Sequence, residues 1–183
     1  MRIIAGSARS RIIDAPKGQD TRPTLDRVRE TVFDILQSLV PGSRVLDLYA
    51  GSGAMALEAV RRGAEHAVMV ERDADACRVI RANIDKLDFG GECELYRTDA
   101  MKALEEFSRR GEKFDLVFLD PPYRYDTAQT LETLARLELV SEEGTVCVEY
   151  DTHEPVSDRF EIWRERKIGI VKLRFFRVRR ERG

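Results

Sequence analysis

VLDLYAGSG at residues 45–53 is the stretch that decides the fold. Its apolar half predicts a buried strand, and Gly51 and Gly53 predict a tight turn that leads into a helix. Such a turn lets the backbone approach a ligand, and the N-terminus of the helix offers N–H groups to it. Ala56 stands where a dinucleotide-binding fingerprint has its third glycine, so the stretch predicts a mononucleotide-type site.

Strands and helices alternate on the C-terminal side of this turn. A helix that ends at Gly63 is followed by predicted strands at 67–70, 93–96, 114–119 and 145–149, with helices at about 74–87, 100–110 and 126–137 between them. This order predicts right-handed βαβ units. Two adjacent strands, 160–166 and 170–179, predict a C-terminal antiparallel hairpin. The fold class is therefore α/β, with a mainly parallel seven-stranded sheet that contains an antiparallel C-terminal strand.

The N-terminal side carries a helix and an appended segment. Apolar residues recur at helical spacing over 25–39, and Pro41-Gly42 ends that helix. Residues 1–20 contain two short apolar runs that predict a β-hairpin extension. We therefore divide the chain into this extension and one domain over residues 21–183.

Acidic residues follow four of the predicted strands: Asp47, Glu71, Asp99 and Asp120. The carboxyl ends of parallel strands meet at one edge, where open α/β sheets bind ligands. A carboxylate at Asp47 would repel a pyrophosphate but suits a cationic ligand such as S-adenosylmethionine, which has an amine, a sulfonium and no phosphate. Glu71 is placed to accept ribose hydroxyls. Asp99 is a candidate for the adenine amine, or simply the N-cap of the helix at Ala100.

The predicted cofactor-binding residues come from this edge and from the glycine turn. They are Asp47, Tyr49, Ala50, Gly51, Ser52, Gly53, Glu71 and Asp99.

The fourth strand ends in the sequence Asp120-Pro121-Pro122-Tyr123, which we call the Asp120 loop. Each proline fixes φ and lacks an N–H group, so the loop is expected to be rigid. A fixed carboxylate, free carbonyls and an aromatic ring suit a planar substrate that carries an amine, such as a nucleobase. We predict all four residues to be catalytic.

The composition excludes several classes of protein. No run of 18 apolar residues exists and the N-terminus lacks the apolar region of a signal peptide, so we expect no membrane association. Cys77, Cys93 and Cys147 have no CxxC spacing. Their pattern argues against a disulfide framework or a metal site and fits core residues of a cytoplasmic protein.

Charge is distributed unevenly along the chain, whose formal net charge is −2. Residues 1–30 carry a balance of +3, residues 31–158 a balance of −12, and residues 159–183 a balance of +7. An acidic body with two basic ends predicts a phosphate-facing surface and therefore a nucleic-acid substrate. The candidate RNA-binding residues are Arg2, Arg9, Arg11, Arg22, Lys172, Arg174 and Arg177.

Several of these motifs together resemble the RsmD family of class I S-adenosylmethionine-dependent methyltransferases. The resemblance runs from Arg2 to at least Tyr123. It rests on residues 2–6 (RIIAG), 21–24 (TRPT), 29–30 (RE), 46–53 (LDLYAGSG), 58–59 (EA), 62–64 (RGA) and the Asp120 loop.

The resemblance implies a Rossmann-like class I methyltransferase fold and a specific reaction. The expected reaction is methyl transfer from S-adenosyl-L-methionine to N2 of a guanine in bacterial 16S rRNA, with S-adenosyl-L-homocysteine as product. The expected partner is 16S rRNA or a small-subunit assembly particle, and we expect a monomer.

The residues alone leave other functions open. The Asp120 loop would equally serve adenine N6 of DNA or RNA, another rRNA base, or a protein amide. A non-catalytic RNA-binding module is an alternative of another class, against which the intact acidic residues argue. A nicotinamide-dependent oxidoreductase is disfavoured by Ala56 and by the lack of an evident hydride-transfer residue.

Overall fold

The computed structural model describes residues 13–15, 23–122 and 126–179. The predicted N-terminal hairpin lies outside these residues except for residues 13–15, and so do Tyr123 and the predicted contacts Arg2, Arg9, Arg11 and Arg22.

Five helices and seven strands form the described part of the chain. The helices are α1 (Pro23–Leu36), α2 (Ala54–Arg61), α3 (Ala74–Leu87), α4 (Ala100–Arg109) and α5 (Thr127–Arg136). The strands are β1 (Arg44–Asp47), β2 (His66–Glu71), β3 (Cys93–Arg97), β4 (Phe114–Leu119), β5 (Val140–Tyr150), β6 (Phe160–Ile168) and β7 (Val171–Val178).

The strands form one sheet in the order β3-β2-β1-β4-β5-β7-β6. β3, β2, β1, β4 and β5 are mutually parallel, whereas β7 is antiparallel to both of its neighbours. The predicted α/β class, the mainly parallel sheet and the antiparallel C-terminal strand are confirmed. Chain order reverses at the β1–β4 pair, which makes this edge a topological switch point.

Helices cover both faces of the sheet. Buried residues of α1, α2 and α3 pack on one face in a cluster that includes Phe33, Leu57 and Ile80. Buried residues of α4 and α5 pack on the other face, around Phe107 and Leu131. This three-layer arrangement leaves the carboxyl ends of the parallel strands as the open edge.

β5 is longer than the sequence predicts. It begins at Val140, opposite Phe114, and its register with β4 shifts before the Leu116–Thr145 pair. At Gly144 a Cβ atom would lie 2.7 Å from Val140 Cγ1 and 2.9 Å from the Ser141 oxygen, so only glycine fits this irregularity. Glu142 and Glu143 are exposed and interrupt the apolar pattern, which is why the sequence signal begins only at residue 145.

None of the described helices is long and apolar enough to cross a membrane.

Candidate active site

A cleft of about 1350 Å³ lies along the carboxyl edge of the parallel strands. It spans the switch point between β1 and β4, and α1 contributes Leu25, Val28 and Val32 to its wall. The four predicted strand-end acids all line it: Asp47, Glu71, Asp99 and Asp120. The sequence-based placement of these side chains at one edge therefore agrees with the structure.

The glycine turn between β1 and α2 has the backbone geometry that its sequence predicts. Gly51 and Gly53 have φ of 57° and 79°, a region that favours glycine. A Cβ atom on Gly53 would lie 3.0 Å from Met69 Sδ, so side-chain size is limited as well. The Ala50 N–H donates to the Val70 oxygen at 3.0 Å, which ties the turn to β2. Tyr49, Ala50, Gly51 and Ser52 line the cleft.

Asp47 is a buried carboxylate beneath this turn. It is 5% exposed, and its Oδ2 accepts a hydrogen bond from the Ala56 N–H at 3.3 Å. Burial, with smaller contributions from the charges of Asp120 and Glu71, raises the Asp47 pKa to about 7. Because no cation among the described residues pairs with it, a positively charged ligand would stabilise its ionised form.

Glu71 is held by the backbone on both carboxylate oxygens. Oε2 accepts from the Gly51 N–H at 2.9 Å, and Oε1 accepts from the Asp73 N–H at 2.9 Å. These bonds orient the carboxylate at the end of β2 and join it to the glycine turn. A carboxylate has about four lone-pair sites, so two hydroxyl groups could still donate to it.

Asp99 is the N-cap of α4. Its Oδ1 accepts from the Met101 and Lys102 N–H groups at 2.9 and 3.4 Å, and the residue also lines the cleft. Asp99 therefore caps α4 through Oδ1, and its Oδ2 makes no hydrogen bond with the residues that the structure describes.

Asp120 follows β4 and is exposed to the cleft together with Pro121 and Pro122. Its carboxyl group has solvent at the open side of the cleft and protein atoms around the rest. This partial desolvation raises the Asp120 pKa to about 6. Glu149, near the end of β5, lines the same cleft, and its pKa is raised to about 7 by burial and by the charge of Asp120.

The predicted phosphate contacts of β7 differ in their surroundings. The Lys172 ammonium lies 5.6 Å from the ring centre of Tyr150, and the Arg177 guanidinium lies 4.2 Å from that of Trp163. Arg174 is only 5% exposed and forms salt bridges with Glu154 and Glu165. The structure does not support a phosphate contact for Arg174, because its guanidinium is already engaged inside the protein.

Sequence reasoning missed three polar residues at or beside the cleft. Glu149 ends the predicted fifth strand, so the rule that selected the other strand-end acids would have found it. Arg29 of α1 lines the cleft and is 4% exposed, with Asp26 at 3.0 Å, but a single basic residue on a helix carries no distinctive signal. Asn83 of α3 has no sequence signal either.

Asn83 connects the glycine turn to the N-terminal segment. Its side chain is fully buried; Nδ2 donates to the Ser52 oxygen at 3.1 Å and to the Asp14 oxygen at 3.0 Å. Its Oδ1 accepts from the Asp14 N–H at 2.8 Å. One amide therefore fixes both the turn and residue 14.

One family model and several known proteins are similar to this chain. The family model described as "Conserved hypothetical protein 95" matches residues 1–177. The putative rRNA methyltransferase YlbH of Bacillus subtilis is 38% identical over 152 residues, which are 82% of this chain and 83% of that protein. Ribosomal RNA small subunit methyltransferase D of Escherichia coli is 32% identical over 96% of this chain and 89% of its own length.

A solved structure gives the same relationship in three dimensions. The putative methyltransferase yhhF from Escherichia coli superposes with a TM-score of 0.86 at 31% identity, over 99% of both chains. With a family model that matches nearly the whole length and relatives above 30% identity, the chain belongs to the RsmD family, whose model is the one described as Conserved hypothetical protein 95.

Proposed function

We propose that this chain is an S-adenosylmethionine-dependent methyltransferase of ribosomal RNA, acting on the N2 amine of a guanine in 16S rRNA. The relatives named as rRNA methyltransferases support the rRNA substrate and the reaction class. The choice of guanine N2 rests on the resemblance to the family.

One observation carries the proposal. Asp120 and Pro121 line the same cleft as Asp47 and Glu71. An amine acceptor and a cationic, ribose-containing ligand therefore have adjacent sites at the switch point of one sheet.

The acidic residues of the cleft fit S-adenosylmethionine. Asp47 is buried with a raised pKa and gains from a nearby positive charge. Glu71 is oriented by two backbone N–H groups towards the role of ribose acceptor. The turn over residues 49–53 would pass along the ligand, and Asp99 would lie near its adenine. When bound, this ligand supplies an electrophilic methyl group.

Asp120 and Pro121 would prepare the amine for attack. The amine of guanine is a poor nucleophile because its lone pair is delocalised into the ring. Hydrogen bonds donated by the amine to the Asp120 carboxylate and the Pro121 carbonyl would move the nitrogen towards tetrahedral geometry and free that lone pair. Positioning of this kind can lower a barrier by about 7–11 kcal/mol.

Asp120 would also handle the charge and the proton that the reaction produces. The methylated nitrogen carries a positive charge, which a nearby carboxylate stabilises. It then loses one proton: the N–H bond breaks, its electron pair stays on nitrogen, and the proton goes to the Asp120 carboxylate. Asp120 is exposed to the cleft, so that proton can pass to water.

The target base must leave its stack to reach Asp120. Unstacking costs a few kcal/mol, roughly, and stacking on Tyr123 would return about 1–3 kcal/mol. We further propose that Pro122 holds the loop rigid and that Lys172 and Arg177 join Arg2, Arg9, Arg11 and Arg22 in contacting phosphates. A cytoplasmic monomer that acts on 16S rRNA or on a small-subunit assembly particle completes the proposal.

The test is labelled methyl transfer from S-adenosylmethionine to 16S rRNA, free and in small-subunit particles, followed by mass analysis of the nucleosides. Asp120→Asn should lower the rate by about 10²–10³, the range seen when one group that stabilises transition-state charge is lost. Its affinity for S-adenosylmethionine, measured by calorimetry, should remain close to that of the parent protein.

Asp85→Asn is the matched control, because Asp85 is an exposed carboxylate on α3 and should leave the rate unchanged. Full activity of Asp120→Asn would exclude the proposed role of Asp120. If the product is a methylated adenine or a methylated protein amide, that group and not guanine N2 is the methyl acceptor. No binding of S-adenosylmethionine at all would favour a non-catalytic RNA-binding module.

A further inference from the structure

Asp120 and Glu149 are neighbours at the open edge of the sheet. β4 and β5 are parallel, and their last recorded pair is Leu119 with Val148. Continuation of this register by one residue places Asp120, which directly follows β4, opposite Glu149. Directly opposed residues of adjacent strands have Cβ atoms about 5 Å apart, so two carboxyl groups lie side by side in the cleft.

The two carboxyl groups also share a face of the sheet. Phe118 pairs with Cys147, and both pack into the cluster that contains α1. Asp120 and Glu149 each lie two residues further along, and side chains two residues apart point to the same face.

The groups around this pair are mostly acidic or apolar. From β1, Asp47 faces the same region, and Glu71 lies at the end of β2. β7 places Leu173 opposite Glu149, and α1 contributes Arg29, whose ion pair is with Asp26. From the connection after β5, Asp151, His153 and Glu154 line the cleft. The side chains of Asp120 and Glu149 make no ion pair or hydrogen bond to a residue within the described ranges.

Two adjacent carboxylates without a cation cannot both ionise easily, because like charges in a partly desolvated site repel each other. The protons of such a pair leave in two steps that belong to the pair rather than to one residue. Burial raises the pKa of Asp120, and burial together with the charge of Asp120 raises the pKa of Glu149, which agrees with this geometry.

We infer that Glu149 is a positioning residue that shares one proton with Asp120 near neutral pH, so that the pair presents a single negative charge to the substrate amine. The charge of Asp120 keeps the shared proton on Glu149, so Asp120 is the carboxylate that accepts hydrogen bonds from the amine. This inference rests on the role of Asp120 in the proposed function and adds a second residue to it.

The test compares pH–rate profiles of the parent protein and Glu149→Gln under single-turnover conditions. In the parent the pair should lose its first proton from Asp120 near pH 6 and its second from Glu149 near pH 7, so its profile should show two steps. Glu149→Gln cannot hold the shared proton, so its acidic limb should stay near pH 6 and the step near pH 7 should be absent. Glu149→Asp retains the charge and should restore a profile close to that of the parent.

A direct titration separates this role from general effects on structure. Carbon-13 NMR of labelled carboxyl groups should show two coupled steps in the parent protein and a single Asp120 step, close to the first step of the parent, in Glu149→Gln.

The outcomes distinguish the inference from the proposed function. If Asp120→Asn is inactive but Glu149→Gln keeps both steps of the profile and of the titration, the inference is wrong and the proposed function stands. If Asp120→Asn is fully active, the proposed function fails first. If the second step disappears from both the profile and the titration, the shared proton is supported.

Discussion

At the scale of single residues, the cleft places acidic side chains where they destabilise the fold. Asp47 has a pKa of about 7 in the folded protein against an ordinary value of 3.8, because burial disfavours its charge. A raised carboxyl pKa gives a contribution to stability that is complete below pH 4 and disappears as the pH rises through 7. The Asp47 carboxylate therefore lowers stability at neutral pH, which fits the ligand-binding role that we propose for it.

Because the ionised Asp47 carboxylate destabilises the folded protein, we predict that Asp47→Asn stabilises the protein at pH 8 and not at pH 4. The amide is neutral at both pH values, and its Oδ1 can still accept from the Ala56 N–H. Each pH unit between folded and unfolded pKa values is worth about 1.4 kcal/mol, so the gain at pH 8 should be on the order of 1 kcal/mol or more. Urea denaturation at the two pH values measures it.

The same variant should bind S-adenosylmethionine much more weakly. The exposed Asp85→Asn serves as the control, with no pH-dependent change expected. An equal stability change at pH 4 and pH 8 would mean that Asp47→Asn acts through packing, and the electrostatic account would then be wrong.

At the scale of elements, β7 fixes the connection between β5 and β6. Arg174 Nε donates to Glu165 Oε1 at 2.8 Å, Nη1 donates to the Pro155 oxygen at 2.7 Å, and Nη2 donates to Glu154 Oε2 at 3.1 Å. Its guanidinium lies 5.2 Å from the ring centre of Tyr150. The Arg174 guanidinium thus joins β6, the end of β5 and the segment 151–155, which forms a wall of the cleft.

Arg174→Lys should therefore loosen this connection. A lysine ammonium cannot make the same three bonds at once, and the buried Pro155 oxygen would lose its partner at a cost of about 1–3 kcal/mol. We expect faster hydrogen exchange at residues 151–159 and a higher KM for rRNA, with unchanged affinity for S-adenosylmethionine.

Arg136→Lys on α5 is the matched control, because Arg136 is exposed and lies on another element. Unchanged exchange at residues 151–159 in Arg174→Lys would show that the connection is held by other contacts.

Some elements could be predicted from the local sequence alone. α3 has the predicted bounds because its helical periodicity begins directly after the N-cap Asp73. β4 has the predicted bounds because it is a continuous apolar run. The four strand-end acids met at one edge because that follows from parallel topology alone. The first half of β5 and the burial of Arg174 were not predictable, because they depend on a register shift at Gly144 and on partners 9 to 20 residues away.

At the scale of the whole molecule, acidic and basic residues are concentrated in different parts of the chain. Residues 31–158 carry a balance of −12 and supply the acidic cleft, while residues 159–183 carry +7. An acidic cleft repels a polyanion, so a bound RNA has to be held by the basic parts of the surface. The Lys172 ammonium lies 5.6 Å from the ring centre of Tyr150, which lines the cleft, and we propose that it contacts a phosphate near the target base.

Binding of 16S rRNA should consequently weaken steeply with salt. Neutralised phosphates release counterions, and the logarithm of the binding constant falls by about 0.7 per contact for each logarithmic unit of salt on single strands. Lys172→Gln should reduce that slope by about one contact, whereas Lys102→Gln should leave it unchanged, because Lys102 is an exposed lysine of α4 that does not line the cleft. Titrations of labelled rRNA between 50 and 200 mM salt, the range over which such losses are large, measure both slopes. A flat salt response of the parent protein would show that the basic ends do not contact the RNA. Equal slopes for the two variants would show that Lys172 alone makes no phosphate contact.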